Sequence, residues 1–240
     1  MASHLVFATG ASSGIGEALA RAVPWPDARV IDVSRRGAPG LEHVRADLSD
    51  PGSWPAVGEL FAREMKGFAG EGVVCIHSAG TLEPIGFAGE VEPRAYARQV
   101  LLNSAAPQVI GDAFLRAAGE TRARCTLLLI SSGAARNVYE GWSAYCAGKA
   151  AVDHWVRTVG AEQRRRGGRV RVLAIAPGIV ESAMQEQIRA TPARDFPEVE
   201  RFRALHRDGA LRAPSEVARQ IWTLLRGEIE NGAVLDLRTA

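Results

Sequence analysis

Short apolar runs separated by amphipathic stretches set the rhythm of this chain. Leu5-Val6-Phe7-Ala8 is continuously apolar and ends at Thr9-Gly10. A run of that length stopped by a turn signal predicts a buried strand. The same pattern predicts strands over 29–34, 42–46, 73–78, 126–131, 169–175 and 233–236. Helical periodicity between them predicts helices over 14–23, 54–66, 94–118, 144–166 and 215–226, with Pro214-Ser215-Glu216 as the start of the last. Strands apolar on both faces that alternate with helices predict an α/β fold. The expectation is one domain over 1–240, a doubly wound parallel sheet of about seven strands with helices on both faces. Ligands bind such sheets outside the carboxyl ends of the strands. Residues that follow strands one, two, four, five and six should therefore converge on one edge. The stretch 181–212 breaks the alternation and is too long for an ordinary connection. It is expected to be a substrate lid lined by Met184, Ile188 and Phe202.

Composition narrows the function classes. A chain of 240 residues can bury one large core. A net charge of +2 is too small to attract nucleic acid, and Arg164-Arg165-Arg166 suits the end of a helix, where cations meet the negative pole of the dipole. Cys75, Cys125 and Cys146 are too scattered for a disulfide framework or a zinc site, so no metal is expected. There is no apolar run of about 18 residues to span a membrane, and the chain opens directly into its first strand without a leader. These features predict a cytoplasmic protein with no nucleic-acid or membrane partner.

Two motifs carry chemistry. Tyr145 and Lys149 lie four apart in a run of helix formers, so both sit on one helix face. A free tyrosine has a pKa near 10, and a fixed cation beside it is expected to draw that value down toward the working range. The turn Gly10-Ala11-Ser12-Ser13-Gly14-Ile15-Gly16 lies between the first strand and the first helix. Glycines let backbone approach phosphate, and the helix N-terminus offers free N–H groups.

With these motifs the chain resembles the short-chain dehydrogenase/reductase family. Further marks are Ile130-Ser131-Ser132 at a strand end, Asn103 in the preceding helix, Pro177-Gly178 after the sixth strand, and His77-Ser78-Ala79-Gly80 where the family usually has N-N-A-G. The resemblance implies a Rossmann fold, a nicotinamide cofactor, and a homodimer or homotetramer. It implies that Ser132 holds a substrate carbonyl, Tyr145 donates the proton, Lys149 supports the tyrosine and the nicotinamide ribose, and Asn103 positions a water. Of the two adjacent serines, strand alternation should send only Ser132 into the pocket. The implied cofactor contacts are Gly10, Ser12, Ser13, Gly14, Ile15, Gly16, Asp47, Leu48, Ala79, Gly80, Asn103, Tyr145, Lys149, Pro177, Gly178, Val180 and Ser182.

The end of the second strand, Ser34-Arg35-Arg36, points to NADP(H), because an arginine there can pair with the 2′-phosphate. Asp32 is the rival, since it could reach the ribose hydroxyl of NAD. The run around Tyr145 and the ending Gly232-Ala233-Val234-Leu235-Asp236 are similar to the branch of the family that includes sepiapterin and benzil reductases. That likeness implies NADPH-dependent reduction of a vicinal dicarbonyl or aromatic ketone, with Trp142, Met184 and Asp236 at the substrate. Other expectations within the fold are reduction of 3-oxoacyl groups and oxidation of secondary alcohols. A nucleotide-sensing protein without catalysis is a further class, against which the intact Ser132, Tyr145 and Lys149 argue.

Overall fold

The computed structural model describes residues 2–239. Seven parallel strands form one sheet: β1 (His4–Thr9), β2 (Arg29–Ser34), β3 (Glu42–Arg45), β4 (Gly72–His77), β5 (Arg124–Ile130), β6 (Val170–Ala176) and β7 (Val234–Asp236). Their order is β3-β2-β1-β4-β5-β6-β7. The chain winds outward from β1 in both directions, so the crevice beyond β1 and β4 is the switch point at which such sheets take ligands. The predicted strands are all present, shifted by no more than a few residues at their ends.

Helices cover both faces. The helices α1 (Gly14–Arg21) and α8 (Pro214–Arg226) pack on one side through Leu19, Val217, Ile221 and Trp222. On the other side lie α2 (Trp54–Met65), α4 (Ala106–Ala117) and α5 (Ser143–Arg166), where Phe61 meets Phe7 and Phe114 edge-on. Strands β1 and β4 are buried along their whole length, as expected of parallel strands sandwiched between helical layers.

Two expectations change. The single helix over 94–118 is instead α3 (Pro93–Val100), a π-helical turn (Leu101–Ala105) and α4. Pro107 explains part of this, since it has no N–H to give the Asn103 carbonyl four residues back. The stretch 181–212 is not a bare loop. It holds α6 (Ala183–Ala190) and α7 (Val199–Arg207), and Val180 bridges to Arg212 to close its base. Phe196, Val199 and Phe202 from it are buried against Trp142. Glu181 anchors it through an ion pair to Arg189 at 3.1 Å and a hydrogen bond with His206 Nδ1 at 3.2 Å. Among the described residues, no helix is long and apolar enough to cross a membrane.

The C-terminal strand reaches the site because α5 lets it pass closely. A Cβ on Gly160 would lie 2.2 Å from the Gly232 Cα, closer than any real contact. Forced overpacking of this kind costs about 1–3 kcal/mol. Gly160→Ala should therefore lower the melting temperature by several degrees, at about 2–4 °C per kcal/mol for a chain of this size. Calorimetry that finds the midpoint within about 1 °C of wild type would show that this approach is not tight.

Candidate active site

The strand ends form two adjoining cavities. The first is lined by Gly10, Ser12, Ser13, Gly14, Ile15 and Gly16 from the turn after β1, by Ser34, Arg35 and Arg36 after β2, and by Asp47, Leu48, Ala79, Gly80 and Ser182. Its floor is backbone. Gly14 has φ +57°, and a Cβ on Gly16 would fall 2.3 Å from the Gly10 carbonyl oxygen. Only glycine fits there, and the N-terminus of α1 faces the space that glycine leaves. These are the features a pyrophosphate requires, so the residues present fit a nicotinamide dinucleotide. The Thr9 hydroxyl ties β1 to the next turn, accepting from the Ser78 and Ala79 N–H groups at 3.2 Å each. That answers how the strand end is held without the amide side chains that His77 and Ser78 replace.

Asp32 does not line this cavity. It is fully buried beneath it and accepts from Ser34 Oγ at 2.9 Å and from the Ala38 N–H at 2.7 Å. Arg35 and Arg36 are the exposed charges at the end of β2.

The second cavity, about 160 Å³, joins Ser132, Tyr145 and Lys149 to Trp142, Tyr139, Pro177, Gly178, Val180 and the lid residues Met184, Ile188 and Phe202. Helix α5 supplies its chemistry. Tyr145, Lys149 and Asp153 follow at four-residue steps on the buried face. Lys149 Nζ lies 5.7 Å from the Tyr145 ring centre and donates to the Ile130 carbonyl at 2.7 Å. Both serines after β5 line the cavity, against the expectation that only Ser132 would reach it. They differ in their partners: the Ser131 hydroxyl donates to the buried Asp153 carboxylate, while Ser132 Oγ accepts from the Ala134 N–H at 3.2 Å and lies near the Tyr145 phenol, whose ionised form it favours.

The electrostatics differ from the expectation of a lowered tyrosine. Burial pushes the Tyr145 phenol up to about 12, only partly opposed by its bond to Ser132. Burial also draws the Lys149 ammonium down to about 8, although the Asp153 carboxylate favours its charge. Both groups are 7% exposed, and the low dielectric of that pocket outweighs their mutual effect. Burial thereby keeps the phenol protonated.

Asn103 is not in either cavity wall. Its side chain clasps the Thr81 backbone, donating from Nδ2 at 2.7 Å and accepting at Oδ1 at 3.0 Å. Its main chain packs on Gly148, where a Cβ would lie 3.3 Å from the Asn103 carbonyl oxygen. Asp236 is also absent from the substrate cavity. Both its carboxylate oxygens are taken by Arg238, at 2.9 and 2.6 Å, and Arg238 lines the cavity in its place. Sequence reasoning missed Arg238, although its two-residue step from Asp236 is the spacing that puts side chains on one face of an extended segment. It also gave Arg36 no place in the cofactor cavity.

A glycine-rich nucleotide cradle beside a half-buried serine and a buried tyrosine and lysine defines a nicotinamide-dependent oxidoreductase. The chain belongs to the short chain dehydrogenase family, whose pattern it matches over residues 4–193. It is 33% identical to a benzil reductase ((S)-benzoin forming) of Bacillus subtilis over 239 residues, 98% of each chain. It is 37% identical to sepiapterin reductase of Mus musculus over 112 residues, 46% of this chain and 41% of that one. A crystal structure of a short chain dehydrogenase/reductase from Saccharomyces cerevisiae superposes with a TM-score of 0.82 at 26% identity, covering 97% of this chain and 95% of that one.

The pH dependence follows from Lys149. Its folded value is depressed to about 8, so its charge is present below that pH and lost above it. If the ammonium acts on the neighbouring tyrosine, activity should follow its charge. The kcat/KM for the nucleotide, which reports ionisations of the free enzyme, should fall as the pH rises through about 8. A profile that stays flat to about pH 10 would remove Lys149 from that role.

Proposed function

We propose that this protein is an NADPH-dependent carbonyl reductase acting on a vicinal dicarbonyl or aromatic ketone. The observation that carries the reading is the aromatic cavity into which the Ser132–Tyr145 pair opens. Trp142 stacks on Phe196 at 4.4 Å and meets Tyr145 edge-on at 5.6 Å, with Tyr139 and Phe202 beside it. Such a wall suits a planar aryl group and excludes water from the reacting carbonyl. The cavity continues into the nucleotide cradle through Ile15, Gly80, Ser182 and Met184. The similarity to benzil reductases along almost the whole chain supports the same substrate class.

A reduced nicotinamide held in the cradle of Gly10 to Gly16 would supply the hydride that the carbonyl carbon takes up. The remaining work falls to the chain. Ser132 Oγ donates a hydrogen bond to the carbonyl oxygen and Tyr145 passes it a proton. The Lys149 ammonium stabilises the resulting tyrosinate and is held in place by the Ile130 carbonyl. The Asn103 carbonyl, to which Pro107 gives no N–H, would hold the water that restores the proton. The lid, 181–212, closes the aromatic side.

Preference for NADPH rests on Arg35 at the cradle's edge and on the engagement of Asp32 elsewhere. A charge-assisted bond to phosphate is worth about 1.5–3 kcal/mol, roughly tenfold to a hundredfold in affinity. In a panel of diketones and aryl ketones, wild type should consume NADPH in preference to NADH. Arg35→Ala should weaken NADPH by at least about tenfold and leave NADH nearly unchanged. Equal losses for both nucleotides, read by fluorescence titration, would assign the phosphate contact elsewhere.

A further inference from the structure

The segment after β7 puts an unusual group in the substrate cavity. Asp236 is buried, and its Oδ1 accepts from the Arg238 N–H at 3.0 Å and from Arg238 Nε at 2.9 Å. Its Oδ2 accepts from Arg238 Nη2 at 2.6 Å. The aspartate is therefore spent as an acceptor, and an amino group on a substrate finds no free carboxylate there. What it presents instead is an oriented guanidinium.

That guanidinium lies close to the reacting centre. A Cβ on Gly133 would sit 3.1 Å from Arg238 Nη2, and one on Gly178 would sit 3.3 Å from Arg238 Cγ. The side chain thus runs across the carboxyl ends of β5 and β6, one residue from Ser132. It shares the cavity wall with Ser132, Tyr145 and Trp142. A guanidinium has five N–H donors, and two serve Asp236. The two on Nη1 and the second on Nη2 have no protein partner among the described residues.

We propose that Arg238 is a specificity residue that donates a hydrogen bond to a second oxygen of the substrate, the carbonyl adjacent to the one held by Ser132 and Tyr145. The assignment rests on the reductase reading and names its substrate class as a neutral vicinal diketone. Neutrality follows from the ion pair. Asp236 offsets the charge of Arg238, so the pair offers direction more than attraction. A carboxylate in the second position gains little from it, whereas a carbonyl oxygen is satisfied by a single well-aimed donor. The Arg238 side chain is 47% exposed in the free protein, so a diketone that covers it replaces its water contact with a carbonyl, whereas the analogue without the second oxygen covers the donor and leaves it unpaired.

The test compares benzil with deoxybenzoin, which keeps both phenyl rings and one carbonyl and lacks the second oxygen. Each is assayed with NADPH on wild type and on Arg238→Met. The intrinsic electrophilicity of the diketone cancels, because the same two ketones are compared in each enzyme, and a general loss of folded protein scales both rates alike. The benzil to deoxybenzoin ratio of kcat/KM should fall by at least about tenfold in Arg238→Met, with a rise in the benzil KM. A ratio within about twofold of wild type overturns the assignment. Asp236→Asn gives the second reading. It leaves the guanidinium charge uncompensated, so benzoylformate should gain on benzil by about fivefold or more. An unchanged preference between those two shows that the guanidinium does not face the second substituent and overturns the assignment. Turnover of no ketone by wild type overturns the reductase reading and this assignment together, whereas turnover with unchanged ratios overturns Arg238 alone.

Discussion

Burying a phenol and an ammonium side by side on one face of α5 is the constraint around which the site is built. Each group would keep its ordinary titration in water. Under the lid, burial raises Tyr145 to about 12 and lowers Lys149 to about 8. Such groups stay buried only with partners, because an unpaired buried charge is costly. Lys149 has the Ile130 carbonyl and the nearby Asp153 carboxylate, which in turn accepts from Ser131. Tyr145 has Ser132. The end of β5 thus supplies a carbonyl and two hydroxyls in three consecutive residues, and α5 is docked so that all three are used.

The rest of the structure serves that docking. Gly148 brings α5 against the main chain of Asn103, and the π-helical turn with Pro107 shapes the facing surface. The stretch 181–212 stacks Phe196 on Trp142, which heads the same helix, and sets Phe202 tilted beside it. Apolar cover and proton donor are therefore parts of one packed cluster. The nucleotide cradle adjoins it at Ile15, Gly80 and Ser182, so a small molecule in the cavity would lie beside the place where a nicotinamide would arrive.

Much of this was legible in the sequence because it rests on local signals. Continuous apolar runs mark strands buried on two faces. The glycines of 10–16 mark backbone that must come close to something, and the spacing of Tyr145 and Lys149 marks a shared helix face. What was hidden depends on tertiary partners. The stretch 181–212 was expected as a lid with no helices marked in it, because the helices over 183–190 and 199–207 are short and rich in polar and charged residues, and it is Trp142 that gives Phe196 and Phe202 something to cover. Asn103 carries a polar side chain whose use, the backbone of Thr81, lies far away in sequence. The direction of the tyrosine shift was misjudged because a neighbouring cation is visible in a sequence and burial is not. Asp236 was noticed alone, although its geometry is decided by Arg238 two residues later.

The most direct test is the protonation state of the phenol. Carbon-13 spectra of the nucleotide-free protein labelled at tyrosine Cζ, with Tyr145→Phe to assign the resonance, follow that group alone. The account predicts that the Tyr145 signal stays that of a phenol through about pH 10, because burial holds its pKa near 12. A Tyr145 signal that titrates to the phenolate near pH 7 would mean that Lys149 governs the pair, and would contradict the view that burial keeps the proton donor loaded.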